Sequence, residues 1–500
     1  MRSKVVGFTI ALAIDNGDDR MDRNTYTKEE RETQAELYID FIHKHGKLPD
    51  SIDSLSEMYN IRSDKNDDTA VGQIGTHLEG KKIAIVVSGG IAAYKAPSLA
   101  RHYRQYGAEI TFYPTKDALR FITEIPLGWS SAGDVITELT GKAEHLYEYD
   151  AYIVAPATLN IIGDIANGRA DDMDPAKSLL TSAFGRIQDP KNTSELIIAP
   201  AMHGSMYENP ALKKNLEFLK EYGVKQIGPE MKNNKANLKD THSIVAYTIR
   251  ELSDDPLKGK DILVNAGPCW AKIDNVRAIT NIFRGRLGIE IAEELYLRGA
   301  NVRLIYGPGG LDVPRYIDTM NVRYYEDMYD AVIREIENHD YDAGIFSSAI
   351  PDYKPKNVFD GKIKSEGGMN MIELDQTEKI IKKVRQKRPD LHMTTFKLET
   401  GITEDQLLDI GYRRLKDYEI VVANLLDDMS SQDHTIHPSY IMEKTGRITR
   451  ASTKKGTAGA LLDTVGAHLE GNIEPQTLLQ EYYLKELHEG LKHPLASMRA

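Results

Sequence analysis

A single cysteine, Cys269, stands in a chain of 500 residues. One thiol cannot close a disulfide within the chain, so a reducing compartment, the cytoplasm, is expected. Long apolar runs are missing as well: none reaches the roughly 20 residues that a membrane-crossing helix needs. Basic residues are in deficit, 63 Lys and Arg against 75 Asp and Glu, which disfavours a general binder of nucleic acid or membrane surfaces. The apolar run Val5 to Ile14 follows Arg2 and Lys4 in the manner of a signal peptide, but Asp15 and Asp18 come next with no small-residue cleavage pattern. A packed N-terminal strand is expected there, with Met21 as an alternative start.

The composition is that of an ordinary globular protein, 41% hydrophobic, and the length is too great for one core, so two or three domains are expected. Residues 1–79 form a polar, helical extension. Thr27 to Lys44 carries apolar side chains at helical spacing, Gly46 to Asp50 breaks it, and Ser51 to Tyr59 reads as a second short helix. The pair reads either as a helix-turn-helix or, more simply, as an appended hairpin for oligomer contacts. Arg62 to Thr76 reads as a linker. Residues 80–254 alternate buried-strand candidates (Ile83–Val87, Glu109–Tyr113, Ala151–Ala155, Leu196–Ala199, Val224–Ile227) with helices, and residues 255–500 repeat the arrangement with Asp261–Asn265, Asn301–Ile305, Ala343–Ser347 and Glu419–Ala423. The expected fold class is α/β, two tandem Rossmann-like parallel-sheet domains behind a small helical extension, ending in a helical tail from Glu474. The pattern "Gly-Ala, polar, apolar strand" occurs in both halves, at Gly107 and at Gly299.

The most informative stretch runs from Lys82 to Lys95: an apolar strand, a turn at Ser88-Gly89-Gly90, and a helix-compatible run from Ile91. Such a turn aims free backbone N–H groups outward beside the positive end of a helix dipole, where a phosphate fits. Ligands in these sheets lie beyond the carboxyl ends of strands, so Thr115, Lys116 and the loop from Ala155 to Asn160 should share that edge, with Ser130 and Ser131 after a helix nearby. Hydroxyl and amide donors without a strong cationic cluster suit one phosphate and a flat polar ring. Neither glycine turn of the chain has the full G-x-G-x-x-G spacing with an acidic residue about twenty positions on, which disfavours an NAD-dependent oxidoreductase.

Three segments, SGGIAAYK from Ser88 to Lys95, APAT from Ala155 to Thr158, and PAMHGSMY from Pro200 to Tyr207, resemble the flavoprotein decarboxylase family of coenzyme A biosynthesis over roughly residues 80 to 230. The resemblance implies FMN held by Ser88, Gly89, Gly90, Ile91, Thr115, Ser130, Ala155, Pro156, Ala157 and Thr158. It implies decarboxylation of phosphopantothenoylcysteine after oxidation of the cysteinyl thiol to a thioaldehyde, which makes CO2 a good leaving group. His145 matches the family's essential histidine, and His203 stands where the family has asparagine and can still donate a hydrogen bond; both are expected to be catalytic. It further implies homo-oligomers assembled through the flavin domain. The chain departs from the family in a shorter spacing from His145 to Ala155 and in lacking the cysteine of a substrate flap, a segment that Met231 to Asp240 is expected to replace.

In the second half, glycine turns at Gly267 and at Gly307 to Gly310, the run Ser347 to Tyr353, Lys362 to Lys364, Phe396 to Thr400 and Ala423-Asn424 all fall at or just after strand ends. Glycines, several cations and Asp352 together suit a nucleoside triphosphate with a metal ion. Collectively they resemble phosphopantothenate–cysteine ligase over roughly residues 257 to 465, and the order, decarboxylase then ligase, is that of the fused bifunctional enzymes. The resemblance implies an acyl-nucleotidylate made from 4′-phosphopantothenate and CTP or ATP with Mg2+, then resolved by the amine of L-cysteine. It assigns Asn281 to the acyl intermediate, Lys362 to charge stabilisation, and Gly267, Gly307, Ser348, Ala349, Asp352, Phe396 and Lys416 to the nucleotide. Arg284 and Arg286 stand where bacterial members carry a serine-glycine-lysine pattern, and one or the other is expected to clamp a phosphate. Two other readings remain open at this point: an active ligase whose flavin domain has altered or lost activity, and a flavin-binding regulatory protein.

Overall fold

The computed structural model describes residues 68–170, 173–364, 371–429 and 436–471. The expectations for the N-terminal strand, the helical pair and the C-terminal tail lie outside the described residues.

In the first α/β part, the apolar runs become strands β1 (Lys82–Val87), β2 (Glu109–Pro114), β3 (Ala151–Ala157) and β4 (Glu195–Pro200). Four short strands follow: β5 (Met202–His203), β6 (Lys225–Gln226), β7 (Glu230–Lys232) and β8 (Lys235–Asn237). β1 and β3 are buried along nearly their whole length because helices cover both faces. The parallel sheet has the order β2-β1-β3-β4-β6, so the direction of winding reverses between β1 and β3. β5, β8 and β7 make a separate antiparallel sheet.

Two expectations need correction here. The α-helix after the glycine turn does not begin at Ile91: a five-residue 3-10 turn, Ile91–Lys95, intervenes, and the helix Ala96–Arg104 starts beyond it with Pro97 in its first turn. Residues from Ile74 on are packed structure rather than linker. The N–H groups of Ile74 and Leu78 donate to the carbonyls of Gln105 and Tyr106, and Leu78 lies fully inside the first core.

The second part contributes β9 (Asp261–Ala266), β10 (Trp270–Lys272), β11 (Ala278–Thr280), β12 (Asn301–Tyr306), β13 (Asp318–Asn321), β14 (Ala343–Phe346), β15 (Tyr353–Pro355), β16 (Leu374–Gln376), β17 (His392–Glu399), β18 (Ile420–Leu425), β19 (Ile436–Glu443) and β20 (Ile448–Thr453). Its main sheet runs β13-β12-β9-β14-β17-β18-β19-β20. The first six are parallel and β19 and β20 antiparallel. Counted in chain order, the parallel strands lie 3-2-1-4-5-6, the dinucleotide-binding order, with the reversal between β9 and β14. The repeated Gly-Ala motif is the same helix ending twice. Gly107 and Gly299 both have φ +93°, and Ala108 and Ala300 each donate five residues back, to Tyr103 and Leu295.

The two parts pack through the helix Arg286–Leu297, whose Leu297 joins the first core, while Tyr296 and Tyr316 touch both cores. Glu294 sits at this seam, 3.2 Å from His77 Nε2 and 2.9 Å from Arg298 Nε. Burial alone would raise its carboxyl, but the bonds from His77 and Arg298 outweigh it and hold it at about 2. A carboxyl depressed in the folded state stabilises fully above its unfolded pKa and loses that contribution as pH falls toward the folded value. Wild type is therefore expected to exceed Glu294→Gln in stability by roughly 2–3 kcal/mol at neutral pH. In urea titrations the gap should close between about pH 4.5 and 2; a gap independent of pH contradicts this assignment.

Candidate functional site

At the edge where β1 and β3 end, one hydroxyl ties the loops together. Ser88 Oγ donates to the Pro156 carbonyl at 2.7 Å and accepts from the Thr158 N–H at 3.0 Å. Thr158 Oγ1 lies 3.1 Å away. The Thr115 N–H bonds the Val87 carbonyl at 2.9 Å, bringing the end of β2 alongside. Gly89 is required by this approach, since a Cβ there would lie 2.5 Å from the Asp117 Cβ. Among the described residues, the N–H groups of Gly89, Gly90 and Ile91 find no acceptor within the chain. Successive free donors of this kind suit a phosphate, which is the fit required of the phosphate end of FMN.

Not every expected residue joins this cluster. Ala155 and Ala157 are buried in β3 and serve as strand core, while Ile91 is 77% exposed and offers the cluster its backbone N–H alone. Ser130 is fully buried, and its hydroxyl turns back to the Leu127 carbonyl at 2.9 Å. It ends a helix, Glu124–Ser131, rather than following one, so it offers no free donor to the loops. His145 is half-buried in the three-residue turn Glu144–Leu146, and no hydrogen bond joins it to Ser88 or Thr158. Its turn is fixed by backbone contacts: Tyr113 Oη donates to the Glu144 carbonyl at 3.2 Å, and Arg186 donates to the Leu146 and Tyr147 carbonyls at 3.1 and 3.2 Å. The Glu144 carboxylate accepts from the Thr140 hydroxyl and N–H, which hold it below the usual carboxylate range. The His145 ring itself has no hydrogen-bond partner among the described residues. His203 is exposed and begins a four-residue helix, its Nδ1 accepting weakly from the Ser205 N–H at 3.4 Å. The segment Met231 to Asp240 supplies the hairpin β7–β8, which pairs with β5.

At the reversal point of the second sheet, the loops after β9 and β14 meet directly. The Ala349 N–H donates to the Gly267 carbonyl at 3.0 Å, and Asn281 Nδ2 donates to the Ala349 carbonyl at 3.0 Å. Ser347 Oγ donates to the Asn265 carbonyl at 2.9 Å. Gly267, Asn281, Ser348 and Ala349 are thus brought together. The helix Arg286–Leu297 points its positive end at this edge from Gly285. Three glycines permit the contact. A Cβ on Gly285 would lie 2.4 Å from Gly267 N, one on Gly288 2.4 Å from the Ala266 Cβ, and one on Gly307 1.8 Å from the Pro268 carbonyl oxygen.

Arg284 is spent on architecture: Nε and Nη2 donate to the Gly309 and Gly310 carbonyls at 3.0 and 2.8 Å. Arg286 lies 3.7 Å from Glu290 and is 58% exposed. Lys362 is exposed, on a loop fastened to the turn after β10. The Asn275 N–H donates to the Gly361 carbonyl at 3.0 Å and the Ile363 N–H to Asp274 Oδ2 at 3.1 Å. Asp274, missed as a site residue in the sequence, organises this loop. Burial would raise its carboxyl, but N–H donors from Ile363, Val276 and Arg277 and the Arg277 guanidinium bring it down to about 2. Asp274→Asn is expected to lower the ligation rate about tenfold or more while decarboxylation of supplied substrate persists; equal ligation rates would remove Asp274 from the account.

Asp352 is exposed and paired with Lys379. Phe396 packs half-buried on the second core. Lys416 lies between the helix Glu404–Arg414 and the start of β18, at the opposite end of the strands from Asn265 and Ala349, so the structure does not place it in the cluster. Cys269 is fully buried in the second part, where burial pushes its thiol up to about 12. It supplies no flap thiol to the first site. Native protein treated with iodoacetamide at pH 7.5 and freed of reagent should keep both activities, and one thiol should react only after unfolding; rapid native alkylation with loss of activity would refute this.

Two α/β sheets, each with loops gathered at its reversal point, are the arrangement of proteins that bind nucleotide-like ligands, and the comparisons with known proteins say which class this is. Residues 72–253 match the family described as Flavoprotein, and residues 257–468 match the DNA/pantothenate metabolism flavoprotein C-terminal domain. The chain is 35% identical over 369 residues to the coenzyme A biosynthesis bifunctional protein CoaBC of Thermococcus kodakarensis, covering 72% of this chain and 89% of that one. It is 33% identical to the Bacillus subtilis CoaBC, with 69% and 86% covered, and 29% identical to that of Methanocaldococcus jannaschii, with 78% and 94% covered. The chain belongs to this family, the bifunctional proteins of coenzyme A biosynthesis.

Proposed function

We propose that the chain makes 4′-phosphopantetheine in two steps, as a phosphopantothenate–cysteine ligase and a phosphopantothenoylcysteine decarboxylase. The observation that carries this reading is the pair of sheet reversals, each occupied by the loops of the corresponding half. In the ligase half, the carboxylate of 4′-phosphopantothenate attacks the α-phosphate of CTP or ATP and releases pyrophosphate. The amine of L-cysteine then displaces the nucleoside monophosphate. Asn281, oriented by its bond to the Ala349 carbonyl, faces the acyl group, and Lys362 offers a cation to the α-phosphate. Gly267, Gly307, Ser348 and Ala349 hold the nucleotide, with Asp352 and Phe396 at its margin. Mg2+ travels with the phosphates, which suits an ion that keeps few protein ligands.

In the decarboxylase half, Ser88, Gly89, Gly90, the Ile91 N–H, Thr115, Pro156 and Thr158 hold FMN. FMN, when bound, supplies the electron-accepting and electron-returning chemistry that lets CO2 leave. His145 orients the substrate carboxylate or moves a proton. Exposed Ile91, Tyr94 and Ile125 support self-association of this half, and the single cysteine supports work in a reducing compartment, the cytoplasm. No helix among the described residues is long and apolar enough to cross a membrane.

The test of the activation step uses 4′-phosphopantothenate labelled with 18O in its carboxylate. One label should appear in the released nucleoside monophosphate, since the bond broken by the amine is the acyl–oxygen bond. Label found in inorganic phosphate instead would mean an acyl phosphate and would overturn the nucleotidylate.

A further inference from the structure

The strongest unassigned feature is a row of basic side chains on the small sheet beside the first site. β4 ends at Pro200, paired with Ala157, and the Ala201 N–H donates to the Ala157 carbonyl at 3.1 Å. β5 begins at the next residue, so the β5–β8–β7 sheet rises from the edge that carries Pro156 to Thr158. Its register opposes Met202 to Ala236 to Met231, and His203 to Lys235 to Lys232. Directly opposed residues of antiparallel strands share a face, with Cβ atoms about 4.5–5.5 Å apart. One face is therefore apolar, with Ala236 buried, and the other presents His203, Lys235 and Lys232 side by side, all exposed.

Like charges directly opposed are destabilising, so an anion held between Lys235 and Lys232 would relieve their repulsion. The chain does not supply one: among the described residues none of the three has an ion-pair partner. The carboxylate on the same face, Glu230, is two residues from Lys232 and lies 3.7 Å from Arg315. The row is held in shape. Asn233 and Asn234 adopt φ of +53° and +56°, a tight hairpin turn. The Gly204 N–H bonds the Asn234 carbonyl at 3.0 Å, and Asn237 Nδ2 lies 3.3 Å from the carbonyls of Glu230, Lys232 and Lys235. Strand spacing of about 4.8 Å makes the row roughly 10 Å long, leading outward from His203.

We propose that Lys235 and Lys232 bind the phosphate monoester of the decarboxylation substrate and so select the phosphorylated over the unphosphorylated compound. The inference rests on the decarboxylase reading above. Two ammonium groups on neighbouring strands match a dianion, and their place at the rim suits the end of the substrate remote from the reacting cysteine.

The experiment compares full-length holoenzyme with the double variant K232Q/K235Q, on phosphopantothenoylcysteine and on pantothenoylcysteine, with flavin absorbance recorded for both proteins. The variant should show a KM for the phosphorylated substrate raised about tenfold, as expected for lost charge-assisted hydrogen bonds, and no matching rise for the unphosphorylated one. The wild-type preference should also weaken with added salt. An unchanged ratio between substrates, or an equal rise for both, overturns the proposal. Wild-type enzyme that decarboxylates neither substrate removes the underlying reading instead.

Discussion

Replacing His145 by asparagine is expected to lower phosphopantothenoylcysteine decarboxylation by about 10²–10⁴-fold, the range lost with a group that moves a proton or holds a reacting anion. Ligation and bound flavin should remain. The expectation is sharp because the turn carrying His145 does not depend on the ring. Tyr113 and Arg186 grip the carbonyls of Glu144, Leu146 and Tyr147, and Thr140 grips the Glu144 carboxylate. Among the described residues the imidazole has no structural bond to lose. A purely structural histidine would give a variant with near-normal turnover, and a variant that releases flavin would move His145 from chemistry to cofactor retention.

The second large effect is expected at Gly307. Alanine there would place its Cβ 1.8 Å from the Pro268 carbonyl oxygen, a backbone atom that cannot swing aside like a side-chain tip. Pro268 bridges to Ala349, and Ala349 holds Asn281, so relief of the clash displaces the whole cluster at the β9–β14 reversal. Overpacking of this kind costs on the order of 1–3 kcal/mol. Misplacement by about 1 Å is enough to cost roughly 10²-fold in rate. Gly307→Ala should therefore lose ligation by about 10²-fold or more, while decarboxylation of supplied phosphopantothenoylcysteine continues. Ligation at the wild-type rate would show that the glycine turns only pack.

The two sheets were legible because apolar runs such as Ile83–Val87 and Asp261–Asn265 end abruptly at glycine, and a parallel sheet buried on both faces writes itself as uninterrupted hydrophobicity. The strands the sequence hid break that rule. β17 buries Thr394 and Thr395, and β19 carries Pro438 at a register shift, where a ladder N–H is dispensable. Glycines at loop contacts were readable as types but not as partners: Gly285 against Gly267 is a tertiary fact. Asp274 was invisible for the same reason, since its role depends on Ile363, 89 residues away. Ser130 was placed near the strand edge as a residue following a helix, and Lys416 by resemblance alone; burial in one case and the wrong end of the strands in the other set them apart. The basic row at His203, Lys235 and Lys232 needed strand register, which three strands of two or three residues each do not announce.

The most direct test of two working sites in one chain is a single incubation of the purified protein with 4′-phosphopantothenate, L-cysteine, Mg2+ and either CTP or ATP, with products identified by mass. The account predicts 4′-phosphopantetheine, with phosphopantothenoylcysteine rising first and then falling. No amide with either nucleotide, or phosphopantothenoylcysteine that accumulates and never loses CO2, would contradict it.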